Sequence, residues 1–366
     1  MPHEAIQLNT EFQLLHVIGL MSGTSTDGLD IISVELFPED ENIRYKILKT
    51  KFIPYADEFS LLLKSSPSLS GRGLRKLDVE LGIYFGNEVK KFCQENDLYP
   101  DLIASHGHTV FHQPDEGYTM QIACGAALAA TCGYPVVNDF RQGDVSLGGQ
   151  GAPLVPIGDA LLFSEYDYCV NLGGFANISC EAENKRIAWD ICPLNVVLNE
   201  LAALIGMKYD ENGQIAYSGK LIPEMLTKLD SLEFYKLPPP KSLGTEWVQV
   251  HISPILSQYE SYAVEDRIHT YTAHAAGRIA QSLKKEQGKA LFSGGGCNNL
   301  FLMEKIGANS AATIVKAEPV LRDFKEALIF ALLGYLRWHK YPSTIRSVTG
   351  ASATLPAGAV FLPKGD

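Results

Sequence analysis

No Cys-x-x-Cys pair occurs in the chain, and its seven cysteines, Cys93, Cys124, Cys132, Cys169, Cys180, Cys192 and Cys297, are odd in number. Both counts disfavour a disulfide framework and a zinc site, and the expected compartment is the reducing cytoplasm. No apolar run approaches the ~20 residues that cross a bilayer, so no membrane association is expected. The opening residues MPHEAIQLNTEF lack a basic stretch followed by an apolar one, which argues against a secretory signal. Positive charge is in deficit: 31 Lys and Arg stand against 42 Asp and Glu, a net of −11. That balance excludes broad contact with nucleic acid or an anionic surface, though not a local anion site built from backbone amides and a metal ion. Low-complexity tracts and short repeats are also missing. What remains is an ordinary globular composition, 46% hydrophobic and 20% charged, over 366 residues, enough for two domains.

Glycine is where the pattern lies. Residues 19–30 read GLMSGTSTDGLD between two apolar runs. Gly19, Gly23 and Gly28 allow close backbone approach, Ser22, Thr24 and Ser25 add hydroxyl donors, and Asp27 and Asp30 add carboxylates. This is no P-loop, because Gly-Lys-Ser/Thr is absent and no helix follows. A hairpin turn and a phosphate cradle both fit. The pattern recurs about 150 residues later, where an apolar strand at 166–172 ends in Gly173-Gly174 and a strand at 186–189 ends at Asp190. A third apolar strand, 289–293, runs into Gly294-Gly295-Gly296. Helices are predicted at 73–95, 125–132, 154–163, 194–206, 263–286, 298–306 and 323–338 from three- and four-residue apolar spacing. The expected fold is α/β: two lobes with a duplicated mixed-sheet core and a nucleotide between them. The lobe boundary is placed at 150/151, inside 145–166, with the final helix packing back toward the first lobe. Stretches 210–222 and 236–247 read as surface insertions, and Pro238-Pro239-Pro240 as stiff and extended.

Eight segments in order then carry a resemblance: GLMSGTSTDGLD, ASHGHTVFHQP (104–114), NDFRQGDVSLGGQGAPLVP (138–156), NLGGFANIS (171–179), PPKSLGTEW (239–247), SGGGCNN (293–299), KEALIFALL (325–333) and VTGA (348–351). Together they resemble the anhydro-N-acetylmuramic acid kinase family of the actin/hexokinase/Hsp70 superfamily. That resemblance implies a two-lobed actin-like, ribonuclease H-like fold with an interlobe cleft. It also implies an enzyme that hydrolyses the anhydro bond of 1,6-anhydro-N-acetylmuramic acid and phosphorylates O6 with ATP and Mg²⁺. The implied product is N-acetylmuramic acid 6-phosphate, and the implied state a cytoplasmic homodimer. A kinase for another sugar on the same fold, or a non-catalytic actin-like ATP-binding protein, are the alternatives.

The resemblance also assigns roles. Gly23, Thr24, Ser25, Thr26, Asp27 and Gly28, with Gly173 and Gly174, would cradle phosphates, and Gly294, Gly295 and Gly296 would pack against the adenosine. Asp27 would serve metal and sugar. His106, Thr109 and Glu326 would hold the sugar, and Asp190 would be the general base. Read from the residues alone, Asp190 equally suits a cap for the helix at 194, and Glu326 a helix-dipole partner. Arg141 and Asp144 would shape the pocket or pair with each other. His108 stands where the family has Gln. Around Asp190 the family reads Phe-Asp-Thr-Gly-Pro-Gly-Asn, whereas this chain reads Trp189-Asp190-Ile191-Cys192-Pro193-Leu194-Asn195. Lys241 and Ser242 match the family without an assigned role.

Overall fold

The computed structural model describes residues 12–39, 42–183 and 185–364. Its first sheet contains β1 (Leu15–Met21), β2 (Gly28–Glu39), β3 (Asn42–Pro54), β4 (Leu102–Ser105) and, after a separate hairpin of β5 (His108–Gln113) and β6 (Tyr118–Ile122), β7 (Val136–Asn138). The second sheet contains β8 (Tyr168–Leu172), β9 (Phe175–Ala182), β10 (Lys185–Pro193), β11 (Lys289–Ser293) and β12 (Thr313–Lys316). A last strand, β13 (Ala359–Phe361), returns to the first sheet. The two sheets run β13-β7-β4-β1-β2-β3 and β12-β11-β8-β9-β10. In each, an antiparallel three-strand meander is followed by two parallel strands on the far side of its first strand. Matching β1, β2, β3, β4 and β7 to β8, β9, β10, β11 and β12 gives the same order twice. This is the duplicated ribonuclease H-like core of actin-like ATPases.

Local chemistry explains the elements. Val17, Ile18 and Leu20 of β1 are fully buried, as a central strand covered on both faces requires. The crossover from β3 to β4 uses the helix Gly71–Asn96, started by Ser70, whose side chain accepts from the Gly73 amide, and ended by Asp97 at φ 52. Its buried stripe is Leu74, Leu77, Leu81, Phe85, Val89 and Phe92. The corresponding crossover in the second half ends with Val264–Ser282. Around 210–222 the chain forms short helices, including Gln214–Ser218, rather than an open loop, whereas 237–244 is irregular between short helical turns that end at Lys236 and begin at Thr245.

The chain divides into one unit of Met1–Leu162 with Phe324–Asp366 and another of Phe163–Asp323. The first unit therefore runs past the expected 150/151 boundary and reclaims the chain's end. The reason is packing. A Cβ on Gly158, in the helix Val155–Leu162, would lie 2.5 Å from Ile329 in the helix Pro319–Trp338. Asp159 and Lys325 of the same two helices form a buried ion pair at 2.7 Å. Pro319–Trp338 also crosses β1 so closely that a Cβ at Gly19 would run into the Ala327 carbonyl oxygen.

Candidate active site

The turn after β1 is built from inside out. Ser22 is fully buried and accepts a hydrogen bond from the Tyr55 hydroxyl at 2.8 Å. The Thr26 amide donates to the Gly23 carbonyl at 3.2 Å. Thr26 sits at φ 54 with its hydroxyl donating to the Ser25 carbonyl and lying 2.8 Å from Ser60 Oγ. Its side chain thus faces the protein, not a phosphate. Gly28 has a packing reason as well: a Cβ there would strike the Phe52 ring across the β2–β3 pair. The outward part is narrower than expected, namely Thr24, Ser25 and Asp27, with Gly23 half-open beside them. Ser25 Oγ donates to Asp27 Oδ1 at 2.6 Å, which fixes that carboxylate. Beneath them His108 is buried, and that burial lowers its pKa against an opposing influence of the Gly23 backbone.

β4 lies parallel to β1 and delivers His106, whose amide donates to the Leu20 carbonyl at 3.0 Å. The His106 ring is committed on both sides. Nε2 accepts from Arg141 Nε at 3.0 Å, Nδ1 donates to the Gly107 carbonyl at 3.1 Å, and the ring packs on Phe330 at 4.4 Å. Burial, then the Arg141 charge, holds its pKa far below the usual range, so this neutral tautomer persists. His106 consequently has no ring nitrogen left for a sugar and instead orients Arg141. Thr109 is half-buried in β5 opposite Gln121.

Arg141 also donates from Nη1 to the Gly151 carbonyl at 2.8 Å. Burial pulls its pKa down to about 10, and attraction to Glu326 acts in the opposite sense. Arg141 and Asp144 are not partners. Asp144 is fully buried, accepting from the Gly151 amide at 2.8 Å and from the Thr349 hydroxyl at 2.8 Å. The Gln150 amide donates to the Thr349 carbonyl at 2.8 Å. Three motif segments, around 141, 150 and 349, thus form one brace for a guanidinium. Glu326 keeps solvent access, yet protein surrounds it closely enough that desolvation raises its pKa, opposed by Arg141 and then Lys325. The first unit therefore presents a carboxyl group with a raised pKa and a half-buried guanidinium held in a fixed orientation.

In the second unit, Asp190 lies within β10, not at its end. It pairs with Asn177, while Cys192 pairs with Ala176, leaving Ile191 as a bulge. The helix-cap reading is overturned: Leu194 occupies that position and makes no side-chain cap. Asp190 Oδ2 instead accepts from the Leu243 amide at 2.8 Å, and the Asp190 amide donates to the Lys241 carbonyl at 2.9 Å. Desolvation raises the Asp190 pKa, and the Leu243 hydrogen bond opposes it. The departures from the family pattern are core residues: Ile191, Cys192 and Leu194 are buried, and Leu194 has φ −130, so no glycine is required there. Asn195 keeps a job, since its Nδ2 donates to the Gly173 carbonyl at 2.7 Å. The Gly174 carbonyl accepts from the Leu194 and Val196 amides at 2.8 and 3.2 Å. In a planar trans peptide the N–H points opposite the carbonyl, so the Gly174 and Phe175 amides are turned away from the helix.

The third glycine turn divides. Gly294 has φ +87, and a Cβ on Gly294 or Gly296 would come within 2.9 Å of Leu172 backbone atoms, so both are packing glycines. Gly295 is exposed, with open space where its Cβ would be. We expect Gly294→Ala to destabilise by about 1–3 kcal/mol through backbone strain. Gly295→Ala is expected to leave the melting temperature unchanged and to raise KM for ATP. Thermal melts and ATP titrations check the pair.

Taken separately, the first unit offers outward hydroxyls at Thr24 and Ser25, and the second offers a turned-out amide at Gly174 and open backbone at Gly295, groups of the kind that suit a nucleotide. They fit Mg²⁺ in one way. Among the described residues no group of three or more His, Cys, Asp or Glu forms a cage. Asp27 would therefore share a cation with phosphate oxygens and water, as Mg²⁺ sites on nucleotides do.

Comparison with known proteins agrees over the whole length. A family model for anhydro-N-acetylmuramic acid kinase matches residues 15–363. The anhydro-N-acetylmuramic acid kinase of Bacillus cereus (strain AH187) is 32% identical, covering 95% of this chain and 100% of the relative. That of Bacillus thuringiensis subsp. konkukian (strain 97-27) is 30% identical with the same coverage. Among solved structures, the Acidaminococcus fermentans (R)-2-hydroxyglutaryl-CoA dehydratase component A aligns with a TM-score of 0.45 at 11% identity, covering 89% of this chain and 100% of that one. With the family match spanning both sheets and every turn described above, this chain belongs to the anhydro-N-acetylmuramic acid kinase family.

Proposed function

We propose that the protein is an ATP-dependent kinase converting 1,6-anhydro-N-acetylmuramic acid to N-acetylmuramic acid 6-phosphate in cell-wall recycling. Family membership supplies the substrate. The observation that carries the mechanism is the asymmetry of the Asp190 carboxylate. Oδ2 is fixed by the Leu243 amide, while Oδ1 has no hydrogen-bond partner among the described residues. One oxygen is held and the other is free to take a proton, and desolvation makes it a stronger base than an ordinary aspartate.

In this reading Asp190 removes a proton from water attacking C1 of the sugar. The C1–O6 bond breaks, and O6 takes the γ-phosphoryl group as ADP leaves. Thr24, Ser25 and the Gly174 amide are assigned to the phosphates and Gly295 to the adenosine. Bound at Asp27, Mg²⁺ would neutralise charge on the transferring phosphoryl group. Arg141 and Glu326 are assigned to the sugar, with His106 holding Arg141 in place, and Thr109 to its rim. We assign the enzyme to the cytoplasm as a homodimer, which light scattering of the purified protein tests.

The reaction itself is tested with anhydro-sugar, ATP and ¹⁸O-water, read by mass spectrometry after rapid quenching. A 6-phosphate carrying label at the anomeric oxygen is expected. A phosphorylated product without that label overturns hydrolysis by water, and preference for a hexose lacking the lactyl ether overturns the substrate.

A further inference from the structure

Asp190 is gripped twice by a single stretch of chain outside its own sheet. β10 is the edge strand of its sheet, so backbone groups on its outer side need partners from elsewhere. A strap of residues 238–244 supplies them: the Lys241 carbonyl takes the Asp190 amide, and the Leu243 amide takes Asp190 Oδ2. The strap belongs to no sheet. Its own hold on the protein runs through the Lys241 ammonium, which donates to the Phe234 carbonyl at 2.9 Å and lies 4.5 Å from the centre of the Phe234 ring. Ser242, between the two gripping residues, is exposed.

We propose that Lys241 is a positioning residue for the general base, tethering the strap whose amide orients Asp190. The inference rests on the reading of Asp190 as that base.

The platform under the tether is aromatic, with a polar cluster beside it. Phe234 is buried and packs against Trp247 at 5.3 Å. Next to it, the Tyr235 hydroxyl is 3.0 Å from His274 Nε2, and His274 Nδ1 is 2.6 Å from Asp230. Arg278 lies 3.4 Å from Asp230 and over the Tyr235 ring. A lysine is a demanding choice here, because burial and then the Arg278 charge both pull its pKa down. A neutral side chain would avoid that penalty, but it would lose the charge-assisted bond to a carbonyl and the attraction to a ring face.

The groups facing Asp190 are few. The strap contributes the Leu243 amide, and its own strand contributes Cys192, whose thiol burial pushes up to about 12 and so keeps neutral. Arg278, from the helix Val264–Ser282, acts on Cys192 and on Lys241. Releasing the strap therefore removes the one hydrogen bond, among the described residues, that favours the ionised form of Asp190. It also frees the carboxylate to rotate.

The test compares Lys241→Met, Lys241→Arg, Asp190→Asn and the double variant Asp190→Asn/Lys241→Met in the full-length enzyme. Misplacing a catalytic group by about 1 Å costs up to about 10²-fold. Lys241→Met is therefore expected to lower kcat by about tenfold or more, with KM for ATP little changed. The acid limb of its kcat/KM profile should move to higher pH, and Lys241→Arg should restore most of the loss. In the Asp190→Asn background, Lys241→Met should lower kcat no further. Hydrogen exchange at the Leu243 amide, which needs no turnover, should be faster in Lys241→Met. Unchanged exchange, an unmoved acid limb, or a full additional loss in the double variant each overturns the proposal. If Lys241→Met does not fold, Lys241→Ala is read in the same way. Full activity in Asp190→Asn alone overturns the base assignment, while the exchange measurement still reports on the tether.

Discussion

Asp190→Asn is expected to lower turnover with the anhydro-sugar by about 10²–10⁴-fold, the usual contribution of a positioned general base. The substitution keeps the side chain's size and leaves an oxygen able to accept from the Leu243 amide, so the bulge at Ile191 and the strap should persist. ATP affinity should stay near the wild-type value, because the Gly173-Gly174 turn is held by Leu194, Asn195 and Val196 rather than by Asp190. Isothermal titration with ATP, set beside ADP release in the presence of sugar, separates the two quantities. A wild-type rate in this variant removes Asp190 from the mechanism. The pH dependence has a definite sign. The base works ionised, and burial raises its pKa above the ordinary aspartate value. Activity should therefore fall as pH drops through that raised value, at higher pH than a solvent-exposed aspartate would give.

Lys325→Met is expected to destabilise the protein by about 3–5 kcal/mol, the usual effect of removing one partner of a buried ion pair. Lys325 and Asp159 are 2.7 Å apart, and their side chains retain 6% and 4% exposure, so Asp159 would stay buried without its cation. The variant also carries a functional signature. Lys325 is the second charge that favours ionised Glu326, after Arg141, so its loss should raise the Glu326 pKa further. Chemical denaturation checks the first effect and the pH profile of KM for the sugar checks the second. A Lys325→Met protein as stable as wild type would mean the pair contributes no net stability. Replacing both partners with apolar residues should recover much of the loss.

The parts of the fold legible in the sequence were those with long, repeated patterns. The apolar-strand, glycine-turn, apolar-strand unit appears twice because each sheet opens with an antiparallel meander whose first two strands are joined by a short turn. Helix Gly71–Asn96 was legible because its stripe, Leu74 to Phe92, holds the helical period for about five turns. Strands β7, β12 and β13 have three or four residues each, too few for alternation to emerge. At the site, residue types were easier to read than directions. Asp27 and Thr26 are neighbours, but a positive φ at Thr26 turns one side chain inward while the other stays out. His106 looked like a sugar ligand because its partner, Arg141, lies 35 residues away and no local pattern links them. The same holds for Asp144, whose partner Thr349 is 205 residues distant. The glycines of 294–296 read alike in sequence, and only the position of Leu172 beneath two of them sets Gly295 apart.

The return of residues 324–366 to the first unit bears on how the molecule is made. The second unit is one continuous segment, Phe163–Asp323, so all of its strands are synthesised before residues 324–366. The first unit lacks the helix that covers β1 and the strand that pairs with β7 until residues 324–366 have followed. During that interval β1, with Val17, Ile18 and Leu20 destined for full burial, awaits its cover. The unit that holds the earlier residues is thus completed only by the later ones, and it is the unit bearing Asp27, Arg141 and Glu326.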